Sequence, residues 1–445
     1  LVNSGSFIIS AWLFSTVSFF LLSASLIIGS GFFDFTSLKM SNILGIIAEY
    51  NPLHNGHVYQ IQKAKELCNA SYVVAVIGGN FQERGNTSII NKWEKTKMAL
   101  QSGIDMVIEL PTVYSTSSAE NFAFGAIKIL KELGFVTHIS FGMECDDIST
   151  LNMISDLLYK EPRKYQMLLK NELSSGVSFP TARQNAIIKY FSNAGLVNLL
   201  SGSNNILAIE YLKAIKKLKF NVIPIGIKRE KVFYNSKTII DNYASSTAIR
   251  SLLFNNQIDE ISRVMPASSF NILMENIRNG TYNLDLKNFS RIIIYKIRSS
   301  KISDLKLVPD VSEGLENSIK KAASETNDIY ELINKIKSKR YTQTRLQRIM
   351  LYILLGITKN DIENSKKVVP YIRILGIKND AKKLLSSITS KNVITSVKDY
   401  EKKHLNSGKN LRFLDIDKYA TDVYTLGYKT NSQANLDYTQ KLIIE

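Results

Sequence analysis

Two of the four histidines in the chain stand three residues apart, in His54-Asn55-Gly56-His57. Imidazoles offer hydrogen-bond donors to an anion, and a glycine between them lets a ligand approach the main chain closely. If the tetrapeptide opens a helix, unpaired main-chain N–H groups add further donors and a partial positive charge. Such a turn suits the binding of a nucleoside triphosphate such as ATP and attack at its α-phosphate. The plainer alternative is a loop carrying two ordinary histidines.

The surrounding pattern favours the nucleotide site. The apolar run Ile43 to Ala48 before the motif reads as a buried strand. Val58, Ile61, Ala64 and Leu67 after it recur at helical spacing. Further on, strands are expected at 72–77, 105–110 and 138–141, with helices at 91–102 and 118–133 between them. Strand and helix alternating at this spacing predict right-handed βαβ units and a parallel sheet, which binds ligands beyond the carboxyl ends of its strands. Residues 148–218 read mainly as helices, 221–227 as a returning strand, and the chain beyond about 255 as largely helical. The fold class expected is therefore α/β: a Rossmann-like nucleotidyltransferase domain at 40–260, then a mainly helical domain at 261–445, with a boundary near 255–285.

Charge is divided unevenly. The net charge is +17, of which +13 falls after residue 260 and +4 before it. A nearly neutral half suits small-molecule chemistry, and a basic half suits a polyanion. Lys335, Lys337, Lys339, Arg340, Arg345 and Arg348 lie close together with Tyr341 among them. Cations for phosphates and an aromatic for stacking are what RNA binding uses; a solvated helix face is the alternative. With only two cysteines, Cys68 and Cys145, a disulfide framework is excluded and a reducing, cytoplasmic setting is expected. No Cys/His spacing suggests a structural metal.

Phe7 to Phe33 contains 27 residues without a charge, long enough to span a membrane, yet the first 33 residues hold no Lys or Arg. Residues 1–39 are expected to be a hydrophobic or non-native extension, with Met40 as the natural start and no stable membrane partner. A membrane anchor is the rival reading.

The segment Gly45-Ile46-Ile47-Ala48-Glu49-Tyr50-Asn51-Pro52-Leu53-His54-Asn55-Gly56-His57 resembles the signature of the bacterial tRNA(Met) cytidine acetate ligases. These share the fold of the nucleotidyltransferase superfamily. Gly79-Asn80-Phe81, Arg84-Gly85, Lys92-Trp93, Val107 to Pro111, Ser118-Ala119-Glu120 and Lys337 to Arg348 extend the resemblance to about Tyr371-Ile372-Arg373. The chain departs from the pattern at Leu53, where Phe is usual, at Glu83, where Gln is expected, and at Ser203 and Ala208, where Pro and Gly are usual.

The resemblance implies a two-step reaction. Acetate attacks the α-phosphate of ATP to give acetyl-adenylate, and N4 of the wobble cytidine in elongator tRNA(Met) takes the acetyl group. It implies ATP contacts along Ile47, Ala48, Glu49, Tyr50, Asn51, Pro52, Leu53, His54, Asn55, Gly56, His57, Val58, Tyr59 and Gln60, and at Gly142, Asn204 and Arg229. His54 and His57 would stabilise charge on the α-phosphate and leaving pyrophosphate. Ser245-Ser246-Thr247 resembles a second phosphate loop, with a plain helix cap as the alternative, as it is for Asn204. Lys337, Lys339, Arg340, Tyr341, Arg345 and Arg348 would contact tRNA. Mg²⁺ would accompany the ATP phosphates with no all-protein cage. Glu109 and Glu120 are expected to be buried structural acids. A nucleotidyltransferase acting on a small metabolite and an RNA-binding protein with an inactive nucleotide domain remain the competing readings.

Overall fold

The computed structural model describes residues 41–229, 241–368, 371–405 and 411–445. The expectations for residues 1–39 and Met40 lie outside these. The first strand, β1 (Asn42–Ala48), pairs in parallel with β2 (Ala70–Gly78), and β2 with β3 (Met106–Leu110). The chain then crosses to the other side of β1 with β4 (His138–Met143), flanked by β5 (Ile223–Lys228). The parallel order is thus β5-β4-β1-β2-β3. The direction of winding reverses between β1 and β4, which opens a crevice at their carboxyl ends.

Three helices complete the crossovers: α1 (Asn55–Cys68), α2 (Lys92–Leu100) and α3 (Ala119–Leu133). Their ends follow local chemistry. Asn91 caps α2 by accepting the Trp93 and Glu94 N–H groups at 3.0 and 3.1 Å. Gly134 closes α3 in the left-handed region at φ 84°. Helices α4 (Ser203–Lys217) and α5 (Ser246–Phe254) bring two further segments to the crevice. The basic half is mainly helical, and two of its helices matter below: α6 (Gln343–Leu355) and α7 (Arg412–Thr425).

That half also supplies strands, which the largely helical reading did not foresee. β6 (Ile372–Ile377) joins the sheet antiparallel to β3, and β7 (Val393–Ile394) and β8 (Ile443–Ile444) pair with β6. The charged Arg373 sits in buried β6 because it is paired. It faces Glu109 of β3 at 3.1 Å and contacts Asp437, while Lys92 reaches Glu109 at 2.8 Å and Asp437 at 2.7 Å. All four side chains are within 5% of full burial. Burial alone would raise the Asp437 carboxyl, but Lys92 and Arg373 bring it down to about 2.

The apolar cores divide near the expected boundary. One gathers residues from Leu44 to Tyr282, with Leu375 added. The other gathers residues from Leu286 to Tyr424, with Phe81 added. Each core therefore borrows a residue from the other half, and Ser41–Glu445 forms one compact unit. Among the described residues no helix is long and apolar enough to cross a membrane.

Candidate active site

His54 is the cap residue of α1 and is 2% exposed. Its Nδ1 accepts the Gly56 N–H at 3.1 Å, and Nδ1 of His57 accepts the His54 N–H at 3.3 Å. The two rings stack with centroids 3.7 Å apart and planes 25° from parallel. Tyr50, buried and at φ 45°, sets its ring edge-on to His57 at 5.0 Å.

Burial lowers the proton affinity of both rings. His54 also feels His57, and both feel Arg229; His57 falls to about 3 and His54 falls well below its ordinary value. Both are neutral near pH 7. A neutral imidazole whose Nδ1 accepts a hydrogen bond carries its proton on Nε2. The pair therefore presents two Nε2–H donors to the crevice.

Gly56 owes its place first to this packing. A Cβ there would stand 3.0 Å from Cε1 of His54, so the space above it belongs to the cap ring.

Two cavities meet at His57. The smaller, about 90 Å³, is lined by His54, Gly56, His57, Tyr59, Gln60, Gly142 and Arg229, with Ile227, Lys228, Tyr243 and Ala244. The larger, about 760 Å³, takes in Ile47, Ala48, Glu49, Tyr50, Asn51, His57, Gln60, Gly142, Asn204, Arg229, Ser246 and Thr247. Arg340, Arg345 and Arg348 form part of its wall. The basic cluster thus faces the same cavity as the histidines.

The structure divides the expected ATP residues. Pro52, Leu53, Asn55 and Val58 line neither cavity. Leu53 and Val58 pack into the apolar core, so Leu for Phe at 53 is a change of core volume. The Asn55 amide instead donates to the carbonyls of Asn242 and Arg263 at 2.9 and 3.1 Å, tying the turn to the segment beside α5. The Asn51 side chain holds the neighbouring loop, donating to the Thr87 carbonyl and accepting the Ile89 N–H. Asn204 is not a cap. Gly202 holds that position, and the Asn204 amide donates to Glu144 at 2.7 Å. Ser245 is a cap, accepting the Ala248 N–H at 3.0 Å, which leaves Ser246 and Thr247 on the cavity.

In the basic cluster, Lys337 and Lys339 are exposed and line neither cavity. Arg345 lies 4.8 Å above the Tyr341 ring and donates to the Asp310 carbonyl at 2.8 Å. Arg340 pairs with Glu313. Arg348 faces Glu83 at 3.8 Å, so the departure at Glu83 gives the cavity wall an acid–base pair. Of the acids expected to be buried, Glu109 is; the Glu120 side chain is 56% exposed on the cavity and pairs with Lys213 at 2.8 Å. Arg84, Arg183, Arg250 and Tyr211 also line the large cavity. Their positions depend on packing between distant segments, which spacing in the sequence does not reveal.

Among the described residues no group of three or more His, Cys, Asp and Glu side chains is placed to hold a metal.

The comparisons accord with this geometry. A family model described as HIGH Nucleotidyl Transferase matches residues 41–439. The tRNA(Met) cytidine acetate ligase of Thermoanaerobacter sp. (strain X514) is 43% identical over 404 residues, covering 90% of this chain and 99% of that protein. The protein of the same description from Acetivibrio thermocellus is 39% identical, with the same coverage. This chain belongs to that ligase family. Crystal structures of Thermotoga maritima TmcAL are similar in fold: the apo form has a TM-score of 0.86 at 32% identity, covering 91% of this chain and 100% of that one. A second, bound with alpha-thio ATP, has a TM-score of 0.84 at 33% identity, again covering 91% and 100%.

Proposed function

We infer that this protein is itself a tRNA(Met) cytidine acetate ligase, an AMP-forming enzyme acting in the cytoplasm. Acetate attacks the α-phosphate of ATP, giving acetyl-adenylate and pyrophosphate. The N4 amine of the wobble cytidine in elongator tRNA(Met) then attacks the acetyl carbonyl and releases AMP. The observation that carries the reading is the stacked pair His54 and His57, each with Nδ1 accepting a main-chain N–H.

Because both rings are neutral, they act as hydrogen-bond donors to phosphate oxygens rather than as acids. Their Nε2–H groups meet charge that grows as the pyrophosphate leaves, in a site whose dipoles are already set. Arg229 adds a fixed positive charge and a fork that matches phosphate oxygens. The small cavity, bounded by Gly56, Gly142 and Ile227, receives the base; the acyl phosphate lies beside His57 in the large one. Mg²⁺ arrives with the ATP phosphates and shields their charge. The far wall of Arg340, Arg345 and Arg348 suits an incoming polynucleotide, which supports the tRNA reading over transfer to a small metabolite.

Acetate-dependent exchange of labelled pyrophosphate into ATP tests the first step. Incubation with ATP, labelled acetate and unmodified elongator tRNA(Met), followed by nucleoside analysis, tests the second. His57→Ala is expected to slow the exchange by ~10²–10³ and to leave tRNA binding in place. Exchange that ignores acetate, or that survives the substitution, would sink the assignment.

A further inference from the structure

Acetyl transfer needs a base that the roles assigned above do not supply. The N4 lone pair of cytosine is shared with the ring, and the nitrogen must shed a proton as it becomes an amide. The histidines are unsuited, since each Nδ1 is already an acceptor for a main-chain N–H and each Nε2 carries the proton.

Five carboxylates line the large cavity: Glu49, Glu83, Glu120, Glu210 and Asp310. Glu210 pairs with Arg183 at 2.6 Å and with Lys213 at 3.2 Å, and Glu120 with Lys213 at 2.8 Å. Glu83 faces Arg348. Asp310 is exposed, next to the Arg345 that its carbonyl holds. Glu49 is different. It follows directly on β1, at the strand end that leads into the histidine turn. It is partly buried, and among the described residues it forms no ion pair. Its Oε1 accepts the Glu83 N–H at 2.8 Å, which fixes the carboxyl group and leaves the other oxygen for the cavity.

We propose that Glu49 is the general base of acetyl transfer, its second carboxylate oxygen taking the proton from cytidine N4. This rests on the ligase reading above. The N4 lone pair forms the bond to the acetyl carbonyl carbon, and the N4–H proton passes to Glu49. The bond from that carbon to the adenylate oxygen breaks, its electron pair leaving on AMP. Glu49 then releases the proton to solvent. The surroundings suit the task. Burial first, and then the Glu83 carboxylate, raise the proton affinity of Glu49; the Glu83 N–H, Lys95 and Arg84 pull the other way without cancelling the rise. Tyr211 is the remaining titratable neighbour, and burial keeps its hydroxyl protonated. A carboxylate raised in this way is a better base and still ionised for part of the enzyme population near neutrality.

The test compares the two half-reactions in full-length Glu49→Gln, whose amide oxygen can still accept the Glu83 N–H. Transfer from preformed acetyl-adenylate to tRNA in a single turnover is expected to fall by ~10²–10⁴, and acetate-dependent pyrophosphate exchange by far less. The parental transfer rate should climb with pH to a plateau, and the variant should lose that climb. Glu49→Asp, which keeps a carboxylate, should retain more transfer than Glu49→Gln. Transfer at the parental rate in Glu49→Gln, or equal losses in both half-reactions, would overturn the proposal. Absence of acetate-dependent exchange in the parental protein would instead overturn the ligase reading beneath it.

Discussion

Gly85 lies so close to the main chain of Arg348 that a Cβ on Gly85 would stand 2.5 Å from the Arg348 nitrogen. The loop after β2 and the start of the basic helix α6 therefore meet without side chains between them. This contact brings Arg348 to Glu83 and sets the basic wall beside the histidines. Gly85 also holds φ 74°, a conformation that L side chains rarely adopt. Gly85→Ala meets both obstacles, and its midpoint of chemical denaturation should reflect a loss of about 1–3 kcal/mol. Pyrophosphate exchange and tRNA binding should fall together, because one contact positions both walls. Parental stability in this variant would mean that the loop and α6 separate at little cost.

The histidine pair makes a prediction about acid. Unfolded, histidine titrates near 6.5, whereas folded His57 holds off its proton until about pH 3, because of burial first and Arg229 second. Between those values the unfolded chain binds a proton that the folded chain does not. Stability from this residue is therefore intact above pH 6.5 and declines as pH falls toward 3. His54 acts in the same direction. Denaturation midpoints of the nucleotide-free protein at about pH 7.5 and about pH 5 should show a smaller drop in His57→Gln than in the parent. An equal drop in both would place the proton uptake elsewhere.

Lys337 and Lys339 stand exposed, away from the cavities that hold the chemistry. Replacing both with Ala should weaken tRNA binding and flatten its dependence on salt, by about 0.7–0.9 in log–log slope for each phosphate that is no longer neutralised. Exchange measured without tRNA should stay at the parental level. Affinity titrations at several salt concentrations decide the matter: an unchanged slope would make these lysines a solvated face. Arg345 differs, because it lines the cavity shared with His57, and its removal is expected to reach the chemistry as well as the docking.

Arg373 is the third test of position. Arg373→Ala leaves Glu109 and Asp437 sharing only Lys92 inside the sheet. Loss of one partner from a buried ion cluster costs about 3–5 kcal/mol, which a denaturant midpoint resolves easily. A loss within the range of ordinary surface substitutions would show that water enters to replace the guanidinium.

The first half of the fold was legible because its strands are buried on both faces. Ile43 to Ala48, Tyr72 to Ile77 and Val107 to Leu110 read as nearly unbroken apolar runs, and each appears as a strand with slightly shifted ends. β6 was hidden for the opposite reason. Arg373 interrupts a short apolar run, and the partners that neutralise it lie at 92, 109 and 437, far along the chain. At the site, the sequence pointed to His54 and His57 through their spacing and rarity. It could not separate Gln60, which lines both cavities, from Leu53, which lies in the core, since both belong to one motif. Nor could it place Arg345 opposite His57, a proximity created by Gly85 against α6.

The antiparallel seam between β3 and β6 also limits how the chain can be divided. Cutting after α5 would strip β3 of its neighbour and turn it into a bare sheet edge, open to pairing with any extended chain that meets it. The same cut would leave Lys92 and Glu109 in the interior without the residues that complete their charge balance. The half that activates the acyl group and the half that carries the positive charge are thus joined through hydrogen bonds rather than by a tether. A free-standing activating fragment would tend to aggregate, so the two capacities are gained or lost as one piece.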